Sequence, residues 1–178
     1  MNVLMRSLAA IVAGASLAVP AAAPAIAADS ARLLFGVGQY DIIPNDNKAV
    51  GAYLQYRFAQ GFWGASEDGE GFLGFKPIIG GMATNDDALF GYVGLAAPYV
   101  WGPWEFEFSG GPGAYHQGNS KFLGGTFEFH VGAALSREVG ENLRLGVAMF
   151  HISNANLHDK NRGTNTLMGT LTWQFGGR

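Results

Sequence analysis

The chain has 178 residues with 11 Lys and Arg against 14 Asp and Glu, a formal net charge of −3, and no cysteine. This mild acidity excludes the basic surface on which nucleic-acid binding depends, and the missing cysteines exclude disulfides as a source of stability. The 27 Gly and 13 Phe, with only 14% charged residues, favour closely packed strands whose aromatic side chains face lipid.

The first 27 residues have the pattern of a secretory signal peptide. Arg6 precedes an apolar run from Leu8 to Val19, and Ala25-Ile26-Ala27 follows as an A-x-A cleavage signal. The apolar run is too short to span a bilayer as a retained helix. We expect cleavage before Ala28. Residues 28–178 then form one domain, since 151 residues are too few for a second independent core, with 10 basic against 14 acidic side chains.

From Arg32 onward, apolar residues recur with a period of two, which predicts strands. Eight strands form the smallest common closed outer-membrane barrel, and strands in lipid must close because hydrocarbon offers no hydrogen bonds to an open edge. The sequence therefore predicts an all-β fold, an eight-stranded antiparallel transmembrane β-barrel. The predicted strands are Ala31 to Tyr40, Ala49 to Ala59, Gly71 to Gly80, Leu89 to Val100, Trp104 to Pro112, Gly125 to Arg137, Leu143 to Ser153 and Thr166 to Phe175.

Alternation within the strands leaves one competing fold. In the segment TFEFHVGAAL at 126–135, apolar side chains occupy one face, while Glu128 and His130 occupy the other. A soluble secreted β-sandwich would bury the apolar face and a membrane barrel would expose it to lipid, so the pattern alone fits both. The signal peptide, the aromatic content and the final segment TLMGTLTWQF, which resembles the terminal strand of Gram-negative outer-membrane proteins, favour the barrel.

The connections predict which end of the barrel faces outward. Residues 101–103 and 138–142 are short turns, which such barrels place in the periplasm, whereas 112–124 and 154–165 are long loops, which they place outside. Residues 60–70 form an unusually long periplasmic turn in this scheme. Pro77 and Pro98 lack an N–H, so we expect them at strand ends or bulges.

The interior face of the predicted strands carries several ionisable residues. Because an eight-stranded barrel is filled by side chains, we expect these residues to form an internal network of ion pairs and hydrogen bonds with Arg57 and Lys76, and no metal site. They are Glu105, Glu107, Glu128 and His130.

Residues 151–165 contain the side-chain types of a nucleophilic active site. In strand seven, NLRLGVAMFHISN, period two places His151 and Ser153 on the apolar, lipid-facing side, and the following hairpin returns Asn165 beside them on the same side. A serine hydroxyl becomes a nucleophile when a base takes its proton and a third group orients the base. His151, Ser153 and Asn165 have these three side-chain types. Asn154, or a backbone N–H near it, is the candidate donor for an oxyanion.

The segments HISNANL and NRGTN identify a family resemblance. Together they resemble the H-x-S-N motif and the downstream Asn-Pro-Gly segment of PagL-type lipid A deacylases, over about 15 residues. The resemblance implies an eight-stranded outer-membrane barrel that removes the 3-position ester-linked acyl chain of lipid A. It also implies His151 as general base, Ser153 as nucleophile and Asn154 at the oxyanion hole. The family's orienting Glu falls on Asn165, and Arg162 stands where the family often has Pro.

The resemblance predicts a serine esterase in the Gram-negative outer membrane, exported by its signal peptide. Its partners are lipid A, as part of lipopolysaccharide, and the surrounding lipid, and no cofactor is implied. Asn165 supplies an acceptor without a charge, so a second interpretation stays open: a non-catalytic barrel with a structural or lipopolysaccharide-binding role. The acyl-chain specificity and the formation of a homodimer are left open as well.

Overall fold

The computed structural model describes residues 30–43, 47–65 and 69–175. The predicted signal peptide lies outside these residues. Within them, no helix is long and apolar enough to cross a membrane. The described strands are β1 (Arg32–Gln39), β2 (Val50–Arg57), β3 (Phe62–Ala65), β4 (Gly71–Thr84), β5 (Leu89–Trp101), β6 (Trp104–His116), β7 (Phe127–Gly140), β8 (Leu143–Ser153) and β9 (Thr164–Gln174).

Eight of these strands form a closed ring. Every pairing is antiparallel; the sheet runs from β2 through β1, β9, β8, β7, β6 and β5 to β4, and a further pairing of β2 with β4 closes it. The last strand therefore lies beside the first, with Arg32 opposite Gln174 and Gln39 opposite Leu167. Closure leaves these eight strands paired on both sides, as backbone in hydrocarbon requires. The predicted eight-stranded antiparallel barrel is confirmed.

The short strand β3 corrects the predicted connection at 60–70. Phe62 pairs with Phe75 and Ala65 with Leu73, whereas β2 reaches Ile78 of the same neighbour through Arg57. The strand β3 thus takes over from β2 along β4, so residues 62–65 belong to the sheet and not to the connection. Sequence pattern missed this strand because it has only four residues, too few to show a period of two.

Two strands extend well beyond their predicted ends, and the two prolines, expected at strand ends or bulges, lie inside strands next to a register irregularity. Strand β4 continues to Thr84, which pairs with Gly51, and β6 continues past Pro112 to His116. Pro77 lies one position beyond the last pair that β4 makes with β2. Pro98 faces the irregular register of β4 between Phe72 and Lys76. Each proline stays paired on one side, Pro77 with Leu95 and Pro98 with Glu107.

The barrel wall places apolar side chains outside, where lipid would lie, and charged side chains inside. Along β8, outward-facing Val147 is 53% exposed, while the neighbouring Ala148 is 5% exposed. The chain's four tryptophans lie in the strand ends next to the short turns: Trp63, Trp101, Trp104 and Trp173. Such aromatic residues form the interfacial girdle of transmembrane barrels.

A buried charge network fills the barrel near the same end. Arg57 Nη1 donates to Glu105 Oε1 at 2.8 Å and to Glu107 Oε2 at 2.5 Å, and Arg32 also pairs with Glu105. The prediction for Arg57 is confirmed. Lys76 Nζ donates to the Ala59 carbonyl. In the part of the chain that the structure describes, no group of three or more metal-binding side chains comes together.

The apolar outer band predicts a depth-dependent cost of charge. Val147→Arg, in the middle of β8, should destabilise the barrel by about 2–4 kcal/mol, because the guanidinium would enter hydrocarbon. The control, Val139→Arg, places the same charge near the turn after β7, where the cost falls to about 0–1 kcal/mol. Guanidinium unfolding in lipid vesicles measures both, and equal costs would contradict a membrane-spanning band.

Candidate functional site

His151 and Ser153 lie at the end of β8 that is remote from the tryptophans. They share the outward face of the strand with Met149, so the polar pair continues the apolar band upward, and both side chains are partly exposed. On one side β7 places Val131 opposite His151 and Phe129 opposite Ser153. The site therefore sits at the rim of the barrel, above a surface that contacts lipid.

Strand β9 brings Asn165 to the other side of His151. The two residues are direct register partners, and His151 Nδ1 lies 3.1 Å from Asn165 Oδ1. This confirms the predicted proximity of the two side chains, which are 14 residues apart in sequence but adjacent across the hairpin.

The hydrogen bonds of Asn165 determine the tautomer of His151. Asn165 Nδ2 donates to the Ile43 carbonyl at 3.0 Å, which leaves Oδ1 to face His151. A carboxamide oxygen accepts and never donates, so His151 Nδ1 carries the proton. In the neutral form of such a ring, Nε2 holds the lone pair with which an imidazole acts as a base.

No hydrogen bond joins His151 to Ser153 among the described residues. The pair of Ile152 with Thr164 is the last in the β8–β9 ladder, and the next position would set Gly163 opposite Ser153. Catalytic hydrogen bonds often tighten only when substrate is bound. The arrangement thus provides a base and a hydroxyl on one face, two residues apart on a strand.

Gly163 shapes the space around the imidazole. Its φ is +56°, and a Cβ built on it would lie 2.7 Å from His151 Cε1 and 3.1 Å from Nε2. Any side chain would therefore collide with the edge of the ring that carries the basic nitrogen, and an L-residue would also be strained at this φ. Glycine satisfies both requirements.

Asn154 occupies the opposite face of the chain from Ser153, which corrects the expectation that its side chain serves an oxyanion there. The residue is fully buried, and Nδ2 donates to the carbonyls of Leu123 at 3.1 Å and Lys160 at 2.8 Å. Both amide hydrogens are engaged inside the loop region. The alternation of side chains along a strand explains this, since residues 153 and 154 must point in opposite directions.

Asn154 instead organises the turn that follows Ser153. Leu157 N donates to the Asn154 carbonyl at 3.0 Å, and the central residues Ala155 and Asn156 have φ of 52° and 65°, as in a type I′ turn. The Asn154 side-chain oxygen also accepts from Asn156 N at 3.0 Å. The buried amide thus holds a backbone conformation that two non-glycine residues would otherwise avoid.

A second Ser–His pair lies inside the barrel. Ser109 Oγ is 3.0 Å from His130 Nε2, and His130 is 1% exposed, stacked on Tyr92 with ring centroids 4.1 Å apart. Its side chains point inward, away from lipid. This pair belongs to the packed interior and gives a matched comparison for the pair at the rim.

Sequence reasoning missed two parts of the site. Gly163 had a signal, because a glycine just before a predicted strand suggests a special backbone conformation. Ile43 had none, because it acts through its main-chain carbonyl and is far from Asn165 in sequence. Only the pairing of β9 with β1 brings the first loop, whose described residues 40–43 follow β1, to the site.

These features define a class of protein: a transmembrane β-barrel of eight strands that carries a histidine, a serine and an orienting amide on its outer rim. The family model for the lipid A 3-O-deacylase PagL matches residues 44–174. The chain belongs to this family. A comparison with curated protein sequences found no match.

Solved structures share the fold. The crystal structure of the outer-membrane enzyme PagL matches with a TM-score of 0.62 and 14% identity, covering 81% of this chain and 99% of that one. A de novo designed transmembrane β-barrel matches with a TM-score of 0.56 and 17% identity, covering 84% and 98%. The Yersinia pestis outer-membrane protein Ail gives 0.50 and 16%, covering 83% and 99%. At such identities the likeness shows the fold alone.

The close approach of Gly163 to His151 predicts a local effect of a single methyl group. Gly163→Ala should destabilise the barrel by about 1–2 kcal/mol through backbone strain and shift the His151 ring resonances in an NMR spectrum. Gly169→Ala is the control, because a Cβ at that glycine meets nothing within 4 Å. Unchanged His151 resonances in Gly163→Ala would contradict the contact.

Proposed function

We propose that this chain is a serine esterase of the outer membrane that removes the 3-position ester-linked acyl chain of lipid A. The observation that carries the proposal is the outward-facing hydrogen bond from His151 to Asn165, beside Ser153. Membership of the deacylase family supports the reaction and substrate class. The resemblance to outer-membrane barrels supports the location.

The proposed first step forms an acyl-enzyme. His151 Nε2 takes the proton of Ser153 as Oγ attacks the ester carbonyl, because a hydroxyl is a weak nucleophile without a base. The tetrahedral intermediate collapses when His151 returns that proton to the departing sugar oxygen. The fatty acyl group is now bound to Ser153 as an ester, and the deacylated lipid leaves.

Water completes the reaction in a second step. His151 Nε2 accepts a proton from a water molecule that attacks the acyl carbonyl on Ser153. Collapse of the second intermediate returns the proton to Oγ and releases the fatty acid. Asn165 holds the same imidazole tautomer throughout, because its oxygen accepts the Nδ1 proton in both steps.

The oxyanion donor in this mechanism is a backbone N–H of the turn that follows Ser153. The amide of Asn154 donates to Asn161 Oδ1 at 3.2 Å, and those of Asn156 and Leu157 bond back to Asn154. Among the described residues, the Ala155 N–H has no hydrogen-bond partner. We assign it the oxyanion, with Asn154 shaping the turn that carries it.

The surroundings of the site suit a substrate that remains in the membrane. Large apolar side chains are exposed around it, at 41–62%: Ile43, Phe127, Val131, Met149, Leu157 and Leu167. An acylated lipid can therefore reach Ser153 by lateral diffusion, with its chains against the apolar band and its sugar at the rim. The filled barrel interior takes no part in binding.

The rival function is a non-catalytic barrel that stabilises the membrane or binds lipopolysaccharide. It is favoured by the absence of charge on Asn165, which supports an imidazolium less well than a carboxylate. The fixed tautomer of His151 argues for catalysis, since an amide oxygen still orients the ring. The two functions differ in whether Ser153 is chemically activated.

Lipid A from a Gram-negative host that expresses the chain tests the proposal directly. Mass spectrometry should show loss of one 3-position acyl chain with the wild type and no loss with Ser153→Ala. His151→Ala should lower the rate by about 10²- to 10⁴-fold, the usual contribution of a general base. Ser109→Ala, which removes the hydroxyl of the interior pair, should deacylate like the wild type.

Unchanged lipid A with a wild-type barrel shown to be folded in the outer membrane would rule out the esterase and favour the structural role. Activity that survives Ser153→Ala but not Ser109→Ala would move the nucleophile to the interior. A fluorophosphonate probe that labels wild type and not Ser153→Ala gives an independent measure of activation.

A further inference from the structure

The first extracellular loop forms two hydrogen bonds with Asn165, through Ile42 and Ile43. Ile42 N donates to the Asn165 carbonyl at 2.9 Å, and Asn165 Nδ2 donates to the Ile43 carbonyl at 3.0 Å. The loop therefore contacts both the main chain and the side chain of this residue. Of the two contacts, the second sets which end of the carboxamide faces His151.

The carbonyl of Ile43 discriminates between an amide and an acid. A carboxylate at residue 165 would have no hydrogen to donate to it, and two oxygens about 3 Å apart would repel each other. An amide satisfies a donor and an acceptor at once, with nitrogen toward Ile43 and oxygen toward His151. The loop thus accounts for asparagine at this position.

The segment 41–43 is itself held by a buried ion pair. Asp41 is fully buried with φ of +55°, and its Oδ1 accepts from Lys121 Nζ at 2.8 Å and from Thr164 Oγ1 at 3.1 Å. Its Oδ2 accepts from Asn47 N at 3.1 Å. Thr164 is the residue before Asn165, so one carboxylate ties the first loop to the start of β9.

Tyr40, the residue before Asp41, extends the same hydrogen-bond network. Burial raises the pKa of Tyr40, so its hydroxyl stays protonated and shares a hydrogen bond with Tyr115 OH at 3.1 Å. Tyr115 OH in turn donates to the Lys121 carbonyl at 2.7 Å. The loop bearing Ile43 is therefore linked through buried polar groups to the loop bearing Lys121.

We infer that Asp41, with Lys121 and Thr164, is a positioning residue for catalysis: it places the Ile43 carbonyl so that Asn165 presents its oxygen to His151. This inference rests on the proposed function for its kinetic consequence. It concerns the orientation of Asn165, which exists whether or not the protein turns over lipid.

A double-mutant cycle tests the positioning role. Asp41→Asn keeps the shape and tolerates positive φ, and it should lower kcat by about tenfold with KM unchanged, because coupled neighbours interact on this scale. Thr164→Val is a milder variant that removes one hydroxyl and should act in the same direction. Ser136→Ala, which removes a buried hydrogen bond to Arg144 at the other end of the barrel, is the control.

The cycle is completed in the background of Asn165→Asp. This variant keeps an acceptor for His151 but has no hydrogen for Ile43. Asp41→Asn should then have no further effect on kcat, whatever the activity of Asn165→Asp itself. Equal tenfold losses in both backgrounds would show a general structural effect and overturn the inference.

Nitrogen-15 NMR in nanodiscs separates this inference from the proposed function. In the wild type, the Asn165 side-chain amide should show a hydrogen-bonded shift and His151 should be protonated at Nδ1; Asp41→Asn should change both signals, and Ser136→Ala neither. Unchanged signals in Asp41→Asn and Thr164→Val would overturn the positioning role. A wild type without deacylase activity but with these shifts would overturn the function alone.

Discussion

The constraint on which this structure depends is that hydrocarbon offers no hydrogen bonds. It requires the strands to close on themselves, and β2 meets β4 to complete the ring. Closure then divides every strand into an inner and an outer face. Charged side chains such as Arg57 and Glu105 pair inside, where eight strands leave little space. The outer face remains apolar until it reaches the rim, where polar side chains meet the level of the head groups.

The position of the candidate site follows from this division. His151 and Ser153 belong to the outer face, so they meet lipid instead of the barrel interior, while Asn154 falls on the inner side and stabilises a turn. The interior pair of Ser109 and His130 has similar chemistry in the opposite orientation. Alternation along a strand thus separates a serine that lipid can reach from one that is enclosed.

The orientation of the histidine depends on contacts from two parts of the chain that are far apart in sequence, residues 163–165 and the first loop. Strand β9 supplies Asn165, the loop before it supplies Gly163, and the first loop supplies the Ile43 carbonyl. A carboxylate at residue 165 would need a different neighbour. The Asn165 amide and the Ile43 carbonyl therefore fit each other. A glutamate at residue 165 could accept from His151 but could not donate to Ile43.

The sequence by itself determined the fold class, the closed order of the eight long strands, and the proximity of His151 to Asn165. Period two, the requirement for closure and the antiparallel pairing of consecutive strands suffice for these features. Tertiary structure decided the rest: β3, the carbonyls that bind the buried Asn154 amide, the contact of Gly163 with the imidazole, and the contacts of Asp41 and Ile43 that position Asn165. These features depend on which individual atoms folding brings together, many of them main-chain carbonyls, and the alternation of apolar and polar side chains does not specify those contacts.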